Sequence, residues 1–274
     1  MSKRVSKKEL VLLNDGLFAR RVMPWFKEKH RLLYEYVKMF AGPRRAFPSS
    51  FFLDLYCDYG KCVDQETGQA HDGSTLVALK AMQEAGASFS RVYVNDLKRE
   101  AVEACASRCS AEGFEVIALN LDAKDAVDEV ARRERGRGLN LAFLDPFSLG
   151  SLPFSIFQQL SQIGKTDMMV HVSIYDLRRN FAHFTREMLD GLDRFAPDWR
   201  DHYDPNASID TNQRAVIDHW SQMLYDRGYL ETKRWKNMPD SGPLLYRLVL
   251  LAKEETALRF WNGALDANPQ RRLF

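Results

Sequence analysis

A chain of 274 residues with 45% hydrophobic and 12% aromatic side chains has material for a real core; it suits one α/β domain with an extra helical piece, or a domain plus a small second unit. Its net charge of +2 excludes a global basic field, so nucleic-acid contacts must come from local patches. The longest apolar runs are strand-sized, far short of the roughly 20 residues of a membrane span, which predicts a chain with no membrane segment.

The N-terminal residues are positively charged without an apolar stretch behind them, and four cysteines are too few for a disulfide scaffold. Both features predict a cytoplasmic setting. Residues 22–40 read as an amphipathic helix carrying Trp25, Phe26, Leu32, Leu33, Tyr36, Val37 and Phe40 near one side, stopped by Ala41-Gly42-Pro43. Residues 1–45 are therefore expected to form a helical extension. A short apolar run, Phe51-Phe52-Leu53-Asp54-Leu55, follows as a buried parallel strand. A polar loop spans 58–74 and a helix 75–85. Three further strand–helix units come next: strand 91–95 with helix 98–111, strand 114–119 with helix 123–135, and strand 139–144 with helix 153–162. Residues 167–172 form a fifth strand.

That alternation predicts a parallel sheet with helices on both faces. The rhythm changes at about 177–210, read as a helical insertion, and a helix over 213–226 ends at Gly228. Two β runs, 230–236 and 245–252, flank the turn Met238-Pro239-Asp240-Ser241-Gly242-Pro243. A closing antiparallel hairpin after five such strands is the methyltransferase variation on a Rossmann-like sheet. The expected fold class is thus an α/β, class I methyltransferase-type domain over 46–274.

In open parallel sheets, ligands sit at the carboxyl ends of the strands. The sequence places an acid at each of the first four such ends. Asp54 is positioned for a cofactor amino group, Asp96 for two ribose hydroxyls, Asp122 for an adenine amine and Asp145 for chemistry. Acids that cap helices and stop strands give the same pattern one position at a time. The cofactor these positions suit is S-adenosylmethionine (SAM). The segment Asp54-Leu55-Tyr56-Cys57-Asp58-Tyr59-Gly60 keeps Gly60 for close backbone approach, but Asp58 replaces the earlier glycine of a Gly-x-Gly turn. That carboxylate would repel the carboxylate of the cofactor.

Asp145-Pro146-Phe147 resembles the Asp-Pro-Pro-Tyr signature of methyltransferases that act on exocyclic amines of nucleobases, with the aromatic displaced by one position. The plain alternative is a strand end with a proline turn. Arg178, Arg179 and Asn180 follow the fifth strand at the same cleft, where two arginines suit phosphate contacts or an ordinary solvated helix start. The run from Arg132 to Arg137 sits at a helix end, where cations favour the negative pole. Cys57, Cys62, Cys105 and Cys109 read as small core residues, with no metal implied. An acid cluster binding Mg²⁺ in a nuclease-like enzyme is a third option.

Taken in order, Phe52-Leu-Asp-Leu55, Gly73-Ser-Thr-Leu-Val-Ala-Leu79, Val94-Asn-Asp-Leu97 and Leu141-Ala-Phe-Leu-Asp-Pro-Phe147 resemble the three-Cys-motif partner protein family, TcmP. So do Leu152-Pro-Phe154, Asp176-Leu-Arg-Arg-Asn180, Leu244-Leu-Tyr-Arg-Leu248 and Phe260-Trp261. The resemblance implies a methyltransferase-like fold and a companion protein carrying a three-cysteine motif. Two functions follow as expectations: a SAM-dependent methyltransferase acting on a nucleobase amine in DNA or RNA, or a non-catalytic partner that docks the companion.

Overall fold

A computed structural model of the chain describes residues 9–134, 136, 138–183, 186–239 and 244–267, without the side chains of 180, 182, 183 and 186–188. The chain opens with β1 (Leu10–Leu12) and β2 (Phe18–Val22), then α1 (Phe26–Arg44) and β3 (Phe51–Asp54). A second hairpin, β4 (Lys61–Asp64) and β5 (Ala70–Asp72), leads into α2 (Ser74–Glu84). The alternation continues through β6 (Arg91–Asn95), α3 (Arg99–Ala111), β7 (Ile117–Leu119), α4 (Ala123–Arg133), β8 (Leu139–Leu144), α5 (Phe154–Leu160) and β9 (Lys165–Ser173). Three helices follow, α6 (Ile174–His183), α7 (Arg186–Phe195) and α8 (Ile209–Tyr225), before β10 (Lys236–Met238), β11 (Tyr246–Leu251) and α9 (Glu255–Asp266).

Seven strands form the main sheet in the order β10-β11-β9-β8-β3-β6-β7. From β9 to β7 all neighbours are parallel, while β11 runs antiparallel between β9 and β10. Every residue of β3 and β8 is buried, as central parallel strands require. The two-residue period of a strand divides the core cleanly. Phe51, Leu53, Tyr93, Ala142, Leu144, Met168 and Val170 face α4, α5 and α8, against Val127, Phe157 and Trp220. Phe52, Val92, Val94, Leu141, Phe143, Met169 and Leu248 face α1, α2, α3 and α9, against Leu33, Leu79, Val102 and Trp261.

Four expectations change. The expected helical extension over 1–45 is not purely helical within its described residues, 9–45: β1 and β2 precede the helix, and β2 pairs in parallel with β4 (Arg20 opposite Cys62), which joins this segment to the rest of the chain. The polar loop at 58–74 contains β4 and β5, completing a four-stranded sheet in the order β1-β2-β4-β5. The strands are only three to five residues long, and all but β1 carry charges that mask any two-residue alternation. Third, α1 starts at Phe26 because β2 claims the preceding residues, and it runs through Pro43, which forgoes one N–H close to the helix end. Residues 230–235 stay out of strand although Leu230 N–H donates to Ala252 O (2.8 Å), and the strand begins at Lys236. Residues 240–243 of the turn lie outside the described residues. Among the described residues, no helix is long and apolar enough to cross a membrane.

Candidate functional site

The carboxyl ends of β3, β6, β7 and β8 lie along one edge of the sheet, and the four acids stand there in different surroundings. Asp54 is fully buried, and its Oδ2 accepts from the hydroxyls of Ser74 (2.5 Å) and Thr75 (2.7 Å) at the start of α2. Its Oδ1 is buried without a partner. Burial pushes its pKa up to about 7, partly offset by the two hydroxyls. Asp96 accepts from Lys98 N–H (2.8 Å) and from the backbone N–H of Asp58. Burial raises its pKa above the ordinary carboxylate value, against the pull of those amides. Asp122 is exposed and caps α4, accepting from Lys124 N–H (3.0 Å).

Asp145 is the most heavily engaged. Its Oδ2 pairs with Lys29 Nζ from α1, and its Oδ1 accepts from His171 Nδ1 (2.6 Å) on β9. Burial pushes its pKa up, but Lys29 and His171 more than reverse that, holding the carboxyl well below the usual range. His171 in turn lies against Tyr246 of β11, with ring centroids 4.0 Å apart, and the Tyr246 hydroxyl is buried without a hydrogen-bond partner. Burial also drives the neighbouring His30 down to about 3, helped by Lys29. The alternation that places Phe143, Met169 and Leu248 on the α1 face puts Asp145, His171 and Tyr246 on that face as well. Pro146 is buried, whereas the Phe147 ring is 67% exposed.

The loop from Asp54 to Gly60 keeps a glycine-type backbone despite its substitution. Asp58 has φ +47° and Gly60 φ +72°, both in the left-handed region. Asp58 is held by Arg20 of β2 through two bonds, Nε to Oδ2 (2.6 Å) and Nη2 to Oδ1 (3.0 Å). The same guanidinium lies 4.6 Å from the centroid of Phe147. Gly60 is required by packing: a Cβ there would sit 2.8 Å from the Cys105 Cα. Tyr56 is half-buried, with its hydroxyl donating to Ser151 O.

Arg178 is exposed and pairs with Asp210 (3.3 Å), while Arg179 Nη2 reaches Asp176 Oδ1 (3.0 Å). The side chain of Asn180 lies outside the described residues. Arg132 and Arg133 both pair with Glu129 one turn earlier, and Arg135 and Arg137 lie outside the described residues. All four cysteines are buried and unpaired, with Cys57, Cys105 and Cys109 in the core. Sequence reasoning missed Arg20, Lys29, His171 and Tyr246. Only His171 and Tyr246 left a signal, as polar residues in phase with buried positions of their strands.

No protein-family model matches the chain. No curated protein matches it either. Among solved structures, protein LPL1258 from Legionella pneumophila str. Philadelphia 1, of the family-model DUF519, aligns with a TM-score of 0.50 at 10% identity over 87% of this chain and 92% of that one. An O-methyltransferase from Bacillus cereus in complex with SAH gives a TM-score of 0.46 at 11% identity, over 85% and 82% of the two chains. The O-methyltransferase TomG from Streptomyces achromogenes, in complex with SAM, gives 0.46 at 12%, over 82% and 80%. Identities this low speak to fold alone. The order of the main sheet, with the reversed strand β11 set between β9 and β10, is that of the class I methyltransferase fold.

Proposed function

We propose that this chain is a SAM-dependent methyltransferase acting on an exocyclic amine of a nucleobase in DNA or RNA, in the cytoplasm. The observation that carries the reading is the end of β8, where an ionised Asp145 is followed two residues later by the exposed ring of Phe147. The residues around the loop suit SAM. The unpartnered, buried Oδ1 of Asp54 is an open acceptor at the head of the loop, and Asp96 faces the loop at the end of β6, where ribose hydroxyls need a carboxylate. Bound SAM supplies an electrophilic methyl group on a sulfonium.

In this reading Asp145 accepts hydrogen bonds from the amine and aims its lone pair. Lys29 and His171 keep the carboxylate deprotonated, so it accepts rather than donates. Phe147 offers the face on which a base stacks, and Arg179 or Arg178 would meet phosphate. The test is transfer of labelled methyl from SAM to bulk DNA and RNA. Asp145→Asn is expected to lower transfer at least about 100-fold while SAM binding by calorimetry stays within about twofold. Equal transfer by the variant overturns the role of Asp145, and no heat at millimolar SAM removes the enzyme reading.

A second reading rests on both Asp145 oxygens being already engaged. Here the chain is a non-catalytic partner of a three-cysteine-motif protein. Co-purification of that companion with both wild type and Asp145→Asn, without methyl transfer by either, supports this reading against the first.

A further inference from the structure

We propose that Arg20 and Asp58 together form a receptor for the amino-acid end of SAM, so that Asp58 is a binding group rather than a damaged glycine position. This rests on the SAM reading above and goes beyond it by assigning two residues outside the expected set.

A carboxylate in the glycine position repels a cofactor carboxylate only if it stands alone, and Asp58 does not. Arg20 reaches it through two donors, Nε at 2.6 Å and Nη2 at 3.0 Å, so the pair is a neutral dipole. The methionine end of SAM is also a zwitterion, with an ammonium and a carboxylate on one carbon. Set antiparallel, the two match: guanidinium to carboxylate, Asp58 to ammonium. The complex stays neutral, so neither partner leaves an uncompensated charge in a half-buried site.

Position supports the match. Asp58 sits at φ +47° in the loop between β3 and β4, with its backbone amide against Asp96. The acid that suits ribose therefore adjoins the pair that suits the amino acid. Arg20 is itself buried and held in place by the Phe147 ring, 4.6 Å away. Asp58 occupies only one side of the guanidinium. On the other side, Nη1 makes only a long ion pair with Glu9, at 4.0 Å, beyond hydrogen-bond distance. That donor is where a second carboxylate fits.

The test compares S-adenosylhomocysteine with 5′-methylthioadenosine, which has the nucleoside and sulfur but no amino-acid group. Calorimetry on the full chain is expected to show wild type preferring S-adenosylhomocysteine by about tenfold or more. Arg20→Gln, Asp58→Asn and Asp58→Gly should each erase that preference and leave 5′-methylthioadenosine binding within about twofold. Asp58→Asn keeps the loop, since asparagine tolerates positive φ, and a thermal melt of each variant confirms folding. Equal affinities in wild type overturn the proposal, as does tighter S-adenosylhomocysteine binding by Asp58→Gly. If neither compound binds wild type, the cofactor reading falls and the receptor falls with it.

Discussion

Asp145 meets two partners that reach it from distant parts of the sequence, the ammonium of Lys29 and the imidazole of His171. Lys29→Met would leave that half-buried carboxylate with a single partner. The expected loss is about 2–3 kcal/mol in urea unfolding at neutral pH, with Lys29→Arg recovering most of it. Asp167 shows the opposite electrostatics. It is buried on β9, accepts from the Tyr36 hydroxyl (2.7 Å), and burial pushes its pKa up to about 7, as it does for Asp54. The folded chain therefore binds more protons than the unfolded chain between about pH 4 and pH 7. Stability from both groups is fully present below that window and falls as pH rises through it. Asp167→Asn keeps an acceptor for Tyr36 and removes one titration. It should flatten the decline and add about 2 kcal/mol at about pH 8, read by urea unfolding at both ends of the window. Unchanged pH dependence would place the proton elsewhere. Asp145 was legible in the sequence because a strand-end acid before proline is a local pattern. Lys29 was not, because its contact spans 116 residues and no local spacing encodes it.

At the level of elements, the loop between β3 and β4 is fixed by how closely it approaches α3 and α2. Gly60 has φ +72°, and a Cβ there would lie 2.8 Å from backbone of Cys105; Gly73, whose own Cβ would lie 2.8 Å from the Gly60 carbonyl, packs against it. Gly113 also has positive φ (+82°) but faces open space. Gly60→Ala is therefore expected to cost about 3 kcal/mol or more, and Gly113→Ala only about 1 kcal/mol, in thermal or denaturant unfolding. Similar costs at the two positions would mean the loop can move off α3. The same contrast explains what could be read beforehand. Long apolar strands such as Leu139–Leu144 stand out, since burial on both faces demands uninterrupted hydrophobicity. The short strands Lys61–Asp64 and Ala70–Asp72 do not, because they carry charges and the first of them pairs with Phe18–Val22, a tertiary choice that no local spacing encodes.

Across the whole molecule, burial is organised around the sheet, yet large apolar side chains stay exposed along its carboxyl edge. Leu97 follows β6, Leu121 follows β7, Phe147 follows β8 and Tyr175 follows β9. One exposed leucine needs no explanation, but a series at the ends of four of the five parallel strands describes a rim. The sheet topology puts the rim beside Asp96 and Asp122, where an adenosine would need apolar contact as well as carboxylates. Folding gains little from these side chains. Leu97, at 69% exposure, can lose its side chain with a stability change within about 0.5 kcal/mol. Leu97→Ser and Leu121→Ser should therefore melt like wild type while weakening S-adenosylhomocysteine by about tenfold each. Ile209→Ser, about as exposed as Leu121 but on α8 rather than directly after β6 or β7, serves as the control and should change neither quantity. Losing affinity in all three variants alike, or in none, would detach the rim from the cofactor. Losing it only at Leu97 and Leu121 would locate the adenosine at the carboxyl ends of β6 and β7.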